Sequence, residues 1–420
     1  MPESVDVLAF GCPWRVDLRE LPDAERAALA HAWSRCDPAV LRPDGVPVPG
    51  EDPAVRTMRV TRDSASITPS DLPERDKVAF VSTDPARVSY DLSRALTRAS
   101  IARQTGFALM VHAAGLAELR SGRAVMLAGP TGTGKSTASR RLGQVMGYLS
   151  DETVAVTDDL RVLPWPKPPS LIPDGEQRWV KDEPSPDDLG LGPTLPEAEL
   201  GAVVVLARDG EPGRPVLEPL GVIEACLAII PETSGIASLP APLARLAAAV
   251  THGAGAFRLR YAEIEECVSL ITTLPERRSL GVDWAHLPPP AGSWPGWLDD
   301  APASSGEAER GEAEGRDATR PVVRRRYRDA IGTDEGILVL VGSTPVHLDG
   351  LAGLVWELAE SAVSVEALFA AVVGQIGPAP GAREVFDTTL DLLWERGMLV
   401  HPAPGYPVPV ALQPMRGVLA

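Results

Sequence analysis

The clearest succession of apolar and polar stretches along the chain runs from Ala124 to Glu152. Four apolar residues, Val125 to Ala128, precede a glycine-punctuated run from Gly129 to Ser136. A short continuous apolar run bounded by a turn reads as a buried strand. The stretch therefore predicts a strand, a loop, and a helix reaching about Met146 with Gly147 as its cap. A second strand, Tyr148–Ser150, ends on Asp151 and Glu152. Upstream, Leu92, Ala95, Leu96, Ala99 and Ala102 trace one face of a helix over Asp91–Gln104. Phe107–Glu118 predicts a strand carrying His112, turned by Ser121-Gly122 so that His112 lies beside the strand feeding the loop. Downstream, Gly201–Leu206 reads as a central strand, Leu243–Val250 as a helix and Arg258–Tyr261 as a last strand.

Residues 1–90 carry weaker signals. They predict a strand over Val5–Leu18, a helix over Asp23–Ser34 with Asp23 as its N-cap, and β-like runs at Val55–Thr61 and Lys77–Ser82. From Pro288 to about Thr319 aliphatic residues nearly vanish and Gly, Ser, Ala and charge take over. Such a composition cannot bury a core and reads as a flexible linker. Beyond it, strands at Val322–Arg328, Gly336–Val341 and Val346–Leu348 lead into helices at Gly350–Glu360, Val365–Val373 and Ala382–Glu395. A strand at Met398–Val400 closes a winged-helix-like module. The expected architecture is α/β: an α+β lobe over 1–90, a nucleotide-binding domain over 91–287, a linker over 288–320, a module over 321–402 and a tail over 403–420.

Composition narrows the partners. The 420 residues are 44% hydrophobic and carry a formal net charge of −17. That surplus argues against nonspecific nucleic-acid binding and against anionic membranes. The one basic cluster of the C-terminal module, Arg324-Arg325-Arg326, is offset by acidic residues. No run approaches about 18 apolar residues, and MPESVDVLAF lacks a basic-then-apolar signal, so a cytoplasmic location is expected. Cys12, Cys36, Cys226 and Cys267 are scattered without C-x-x-C spacing and are expected as buried thiols. A structural metal is not indicated.

The chemistry lies in the first stretch. Gly129 to Ser136 is a complete G-x-x-x-x-G-K-[ST] phosphate loop between a strand and a helix. Its glycines let backbone amides turn around phosphate oxygens, and the helix N-terminus adds partial positive charge. Gly129, Pro130, Thr131, Gly132, Thr133, Gly134, Lys135, Ser136 and Thr137 are the candidate ATP site. Lys135 would reach the β- and γ-phosphates, and Ser136 would ligate Mg²⁺. Asp151 and Glu152 arrive at the carboxyl end of a strand, the edge where ligands of open α/β sheets bind. One carboxylate can help hold Mg²⁺; the other can accept a proton from a substrate hydroxyl. His112 by itself reads as a core histidine. Lys167, in the run PWPKPPSLIP, either lies across the site or merely belongs to a connection.

The block His112, Gly129–Ser136 and Asp151-Glu152 resembles the catalytic core of HPr kinase/phosphorylase, over roughly Asp91–Leu280. In that family a histidine on the strand before the loop contacts an aspartate that acts as base for a seryl hydroxyl. The resemblance implies those roles for His112 and Asp151, and an oligomer. Thr137 stands where the family has an acidic residue, Glu152 replaces its second aspartate, and the segment linked to phosphorylase activity is not recognisable. Val322–His401 resembles a PqqD-like domain, the peptide-recognition unit of pathways that modify ribosomally made peptides, lasso peptides among them. The similar pieces are GILVLV, HLDGLAGLVWEL and LLWERGMLV. This implies a leader peptide added as a strand beside Val322–Arg328, against the helix Ala382–Glu395, and other enzymes of the same biosynthetic cluster as partners.

The expected function is an ATP-dependent, Mg²⁺-requiring kinase for a Ser or Thr hydroxyl of a precursor peptide. Asp151, His112 and Lys135 would be catalytic, with Ser136, Asp151 and Glu152 at the metal. The linker would keep a captured peptide near the site at an effective concentration of about millimolar. Three alternatives are a transient phosphate followed by elimination or cyclisation, a nucleotide-gated peptide chaperone without transfer, and an enzyme acting on a free small molecule.

Overall fold

The stretch expected as one strand over Val5–Leu18 is a hairpin. β1 (Ser4–Ala9) and β2 (Cys12–Asp17) pair antiparallel from Ser4↔Asp17 to Ala9↔Cys12. Phe10 and Gly11 turn the chain between them at φ 50° and 74°, the two left-handed residues a tight hairpin turn requires. The computed structural model describes residues 1–42, 54–61, 77–81, 87–171, 181–209, 214–278, 281–290 and 319–402. α1 (Asp23–Ala32) has Pro22, not Asp23, at its N-cap; Asp23 instead serves the first turn through its charge against the helix dipole. α2 (Pro38–Leu41) is capped by Asp37, whose Oδ1 accepts from the Ala39 amide at 2.8 Å. β3 (Arg56–Thr61) and β4 (Lys77–Val81) extend the sheet in parallel, in the order β1-β2-β3-β4. α3 (Val88–Gln104) brings Leu92 and Leu96 into the core of this sheet, and the Trp14 indole donates to Ser100 Oγ at 2.8 Å.

The boundary expected at 90/91 therefore falls inside a helix, and Met1–Val282 is one compact unit. Its second sheet contains β5 (Leu109–Val111), β6 (Ala113–Ala117), β7 (Arg123–Ala128), β8 (Gly147–Ser150), β9 (Val154–Val156), β10 (Arg161–Leu163), β11 (Ala198–Arg208), β12 (Val216–Pro219), β13 (Thr233–Ser234) and β14 (Ala256–Tyr261). Between them lie α4 (Lys135–Gly143), α5 (Val222–Ile229) and α6 (Pro242–Thr251), and α7 (Val268–Thr272) follows. The strand order is β13-β5-β9-β10-β11-β7-β6-β8, with β14 also beside β11 and β12 beside β14. β7, β11 and β14 are parallel, while β6 is antiparallel to both its neighbours. Val125 and Leu127 of β7, Ala202 and Val204 of β11, and Ala138 and Leu142 of α4 share one core.

The strand expected over Phe107–Glu118 is broken at His112. The strand ending at Ser150 likewise resumes as β9 only after Asp151, Glu152 and Thr153. Both pairs keep one register across the break: Gly115 faces Ser150 on one side, and Val111 faces Val154 on the other. His112 and Asp151–Thr153 thus share one opening in a single long antiparallel pair. Gly115 sits close-packed at its rim, where a Cβ would lie 3.1 Å from Val154 Cγ2.

The second unit is Asp283–Ala420. It contains β15 (Ala285–His286), β16 (Val323–Arg324), β17 (Asp329–Thr333), β18 (Gly336–Val341), β19 (Thr344–Leu348), α8 (Gly350–Leu358), α9 (Val365–Ile376), α10 (Ala382–Glu395) and β20 (Leu399–Val400). One sheet has the order β15-β17-β18-β19, and β16 pairs with β20. Ile337, Val339, Trp356, Leu368, Phe386 and Leu393 form its core, and Ser364 Oγ caps α9 by accepting from the Ala367 amide at 3.2 Å. The strand expected over Val322–Arg328 is confined to β16, and both its edges are taken. β20 holds one; on the other, Val322 exchanges hydrogen bonds with Val363, and the Arg324 amide donates to Ala359 O at 2.7 Å. The Arg324 side chain is committed to Glu360 at 2.8 Å and to the rings of Tyr327 and Trp356. This strand offers a leader peptide neither an edge nor a free Arg324.

Residues 291–318 of the expected linker and the tail 403–420 lie outside the described residues. Among those described, no helix is long and apolar enough to cross a membrane. The four cysteines are buried and form no disulfide among the described residues.

Candidate active site

Three chain ends meet at one edge of the second sheet. β7 and β8 run toward that edge and β6 starts from it, with Ala113 opposite Ala128 and Gly115 opposite Ser150. Gly129, His112 and Asp151 are the first residues beyond these adjacent strands. The loop from β7 to α4 turns on Gly129, Gly132 and Gly134, at φ 152°, 93° and 93°. At Gly129 space also forbids a side chain: a Cβ would lie 3.0 Å from the Leu206 carbonyl oxygen. The Tyr261 hydroxyl, at the end of β14, donates to Thr133 O at 2.5 Å and holds the far side of the loop. Gly134 is the N-cap of α4, and the first amides of a helix, having no intrahelical acceptor, are available to an anion.

Lys135 opens that helix and is buried. Its ammonium donates to Gly129 O and to Pro130 O, the latter at 3.3 Å, and lies 3.9 Å from the Glu232 carboxylate. Burial pushes the Lys135 pKa down, and the charge of Glu232 opposes the shift. Glu232 is brought here by a short helical turn before β13; its carbonyl accepts the His112 amide at 2.6 Å. Thr131, Ser136 and Thr137 are exposed.

Across β6 from the loop, Asp151 is buried, and two groups act on its Oδ1. The Tyr148 hydroxyl donates to it at 3.2 Å, and Lys167 Nζ lies 3.1 Å away. Lys167, 1% exposed, is also 3.4 Å from Glu152 Oε2. Burial works to lower the Lys167 pKa, but the charges of Asp151, Glu152 and Glu183 outweigh it, and the ammonium stays protonated. Burial and then the charge of Asp151 push the Tyr148 phenol up. The His112 ring is half-buried and forms no hydrogen bond or ion pair among the described residues. The family resemblance implies a contact between His112 and Asp151; among the described residues no hydrogen bond or ion pair joins them, and the partners of Asp151 Oδ1 are Lys167 and Tyr148.

Behind the pair, Glu183 accepts from Ser170 Oγ at 2.7 Å and from Ser89 Oγ at 3.0 Å. Burial raises its pKa above the ordinary 4.5, with Lys167 opposing and Asp151 reinforcing the shift. A raised carboxyl pKa means that the folded state holds the proton more tightly than the unfolded one. The stability this contributes is complete below pH 4.5 and is lost as pH rises through the folded-state value. Glu183→Gln keeps a neutral group there. Its thermal midpoint should match the parent in acid and exceed it at pH 8, a difference that a pH series of melting curves measures.

Loop amides, an ammonium and the oxygens of Ser136, Asp151 and Glu152 are a donor set suited to a triphosphate and to Mg²⁺. No group of three or more His, Cys, Asp or Glu able to hold a metal occurs among the described residues. Mg²⁺ does not need one, since it is commonly held by one or two carboxylates together with waters and phosphate oxygens.

No protein-family model and no curated protein matches the chain. Among solved structures it is similar to the HPr(Ser) kinase/phosphatase from Coxiella burnetii, with 15% identity and a TM-score of 0.24, over 39% of this chain and 92% of that one.

Of the residues expected at the site, Gly129 to Ser136, His112, Asp151 and Glu152 come to one sheet edge. Sequence reasoning did not place Lys167 on the carboxylates and passed over Tyr148, Glu183, Glu232 and Tyr261. Lys167 alone had a signal, as a single lysine within a run of prolines; the other four look like ordinary strand or loop residues.

Proposed function

We propose that this chain is an ATP-dependent kinase that transfers the γ-phosphoryl group to a Ser or Thr hydroxyl of a ribosomally made precursor peptide. The observation that carries the reading is a complete phosphate loop and an ion-paired carboxylate, Asp151, at one sheet edge with a single strand between them. The loop amides and Lys135 would hold the triphosphate. Ser136 with Glu152 or Asp151 would hold Mg²⁺, which when bound neutralises phosphate charge. Asp151 would accept the proton of the acceptor hydroxyl. Transfers of this kind depend mainly on positioning and charge stabilisation, which rigidly held groups provide.

The peptide enters through the resemblance of residues 322–401 to a leader-recognition domain. Strand addition would use the outer edge of β19, which pairs only with β18 among the described residues. Val385 and Leu392 of α10, 57% and 40% exposed, are apolar residues that a leader side chain would cover. Incubating the protein with a leader-bearing precursor, ATP and Mg²⁺ should raise the peptide mass by one phosphate. An unchanged mass with a cognate peptide would overturn the kinase reading. A dehydrated or cyclised product would mean that the phosphate is only a transient step.

A further inference from the structure

The segment around Lys167 leaves it little freedom to sit elsewhere. Pro164, Pro166 and Pro168 fix φ and supply no N–H donor. Trp165 fastens the segment to β8, its amide donating to Leu149 O at 2.8 Å. Its buried indole lies 5.6 Å from the Phe10 ring and 5.5 Å from the Trp33 ring, and its Nε1 donates to Thr97 Oγ1 at 3.1 Å. The single hydroxyl proton of Tyr148 is shared between the Lys167 carbonyl, at 3.0 Å, and Asp151 Oδ1. The ammonium ends against Asp151 Oδ1, Glu152 Oε2 and, at 3.4 Å, Pro168 O.

Burying a cation is costly, and a buried ion pair stabilises a fold no better than apolar side chains of similar size. Packing alone gives no reason for a lysine here. What the lysine does is select an oxygen. Lys167 and Tyr148 both act on Oδ1, and Oδ2 of Asp151 accepts no hydrogen bond among the described residues.

We infer that Lys167 is a positioning residue for phosphoryl transfer, fixing the Asp151 carboxylate through Oδ1 so that Oδ2 receives the acceptor hydroxyl. The role rests on the kinase reading of Asp151. In the step it serves, the hydroxyl proton passes to Oδ2 and the acceptor oxygen bonds to the γ-phosphorus. The bond from that phosphorus to the β,γ-bridging oxygen breaks, and its electron pair leaves with ADP.

The test compares the parent with Lys167→Met, Asp151→Asn and the double variant in three measurements. These are the thermal midpoint, the affinity for a fluorescent ATP analogue, and kcat and KM for transfer to a leader-bearing precursor. Lys167→Met should lower kcat by about 100-fold, the scale of a misplaced catalytic group, with nucleotide affinity and peptide KM within about two-fold. In the Asp151→Asn background it should cost nothing further, because the lysine acts through that carboxylate. The double variant should also melt above Lys167→Met, since no carboxylate at position 151 is left unpaired. An unchanged kcat in Lys167→Met, or an equal loss in both backgrounds, overturns the positioning role while leaving the kinase reading intact. A parent that transfers no phosphate, with midpoints that are still non-additive, leaves the pair standing and overturns the reading of Asp151 on which the role rests.

Discussion

Replacing Lys135 with alanine should weaken ATP binding by about 10- to 100-fold while leaving the protein folded. A hydrogen bond to a charged group contributes about 1.5–3 kcal/mol, and each ~1.4 kcal/mol is a factor of ten in affinity. The ammonium opens α4, at the end of a loop whose glycines hold the backbone in conformations other residues rarely adopt. It is turned toward the carbonyls of Gly129 and Pro130 and toward Glu232, so a triphosphate would have to draw it away from them. Those contacts make the net gain smaller than that of a lysine waiting in solvent, which is why the lower part of the range is included. The fold should tolerate the change. Burial already disfavours the Lys135 charge, and Glu232, at 3.9 Å, is only loosely paired with it. Titration with a fluorescent ATP analogue, with melting curves as the control for folding, measures the effect. An unaltered affinity would remove the phosphate-loop assignment.

What was legible in the sequence is what the chain keeps contiguous. β7, the loop and α4 follow one another within Arg123–Gly143, and each is written in local terms: an apolar run, glycines where φ is positive, a helix behind them. β11 is equally local and reads as an apolar run, and β14 reads as a strand at Arg258–Tyr261. What depends on distant partners was not legible. The break at His112 exists because β5 and β6 pair with β9 and β8, whose residues lie far along the chain. Lys167 reaches Asp151 only because Trp165 is seated among Phe10, Trp33 and Thr97, none of which is near it in sequence. The hairpin at Phe10-Gly11 hid behind a phenylalanine at φ 50°, where a turn usually carries Gly, Asn or Asp. Val322–Arg328 has the composition of a strand, but Val363, Ala359 and β20 claim its backbone groups and leave β16 two residues long. The boundary expected at 90/91 lies within a helix for a similar reason. α3 starts at Val88, and its apolar face closes a core shared by both sheets.

Asp151→Asn should leave nucleotide binding within about two-fold and lower phosphoryl transfer by about 10²- to 10⁴-fold, the range a positioned general base supplies. Asparagine keeps the shape and an oxygen that can still accept from Tyr148, but it cannot take up the acceptor proton. The substitution also removes one counter-charge of Lys167, a buried cation. Breaking a buried pair typically costs about 3–5 kcal/mol, and Glu152, 3.4 Å from the ammonium, offsets part of that. Lost stability and lost chemistry must therefore be separated. The nucleotide titration does this, because the loop proposed to hold ATP lies across β6 from Asp151 and none of its residues is changed. The number of nucleotide-binding sites counts the folded molecules, and the transfer rate per site reports the chemistry. If that rate stays at the parent level, Asp151 serves only as the counter-ion of Lys167. The acceptor proton would then leave to water or to the phosphate itself, which a loose, largely dissociative transition state permits. A fall in rate per site with binding preserved leaves Asp151 as the residue that receives the proton, and makes the buried lysine behind it part of the same device.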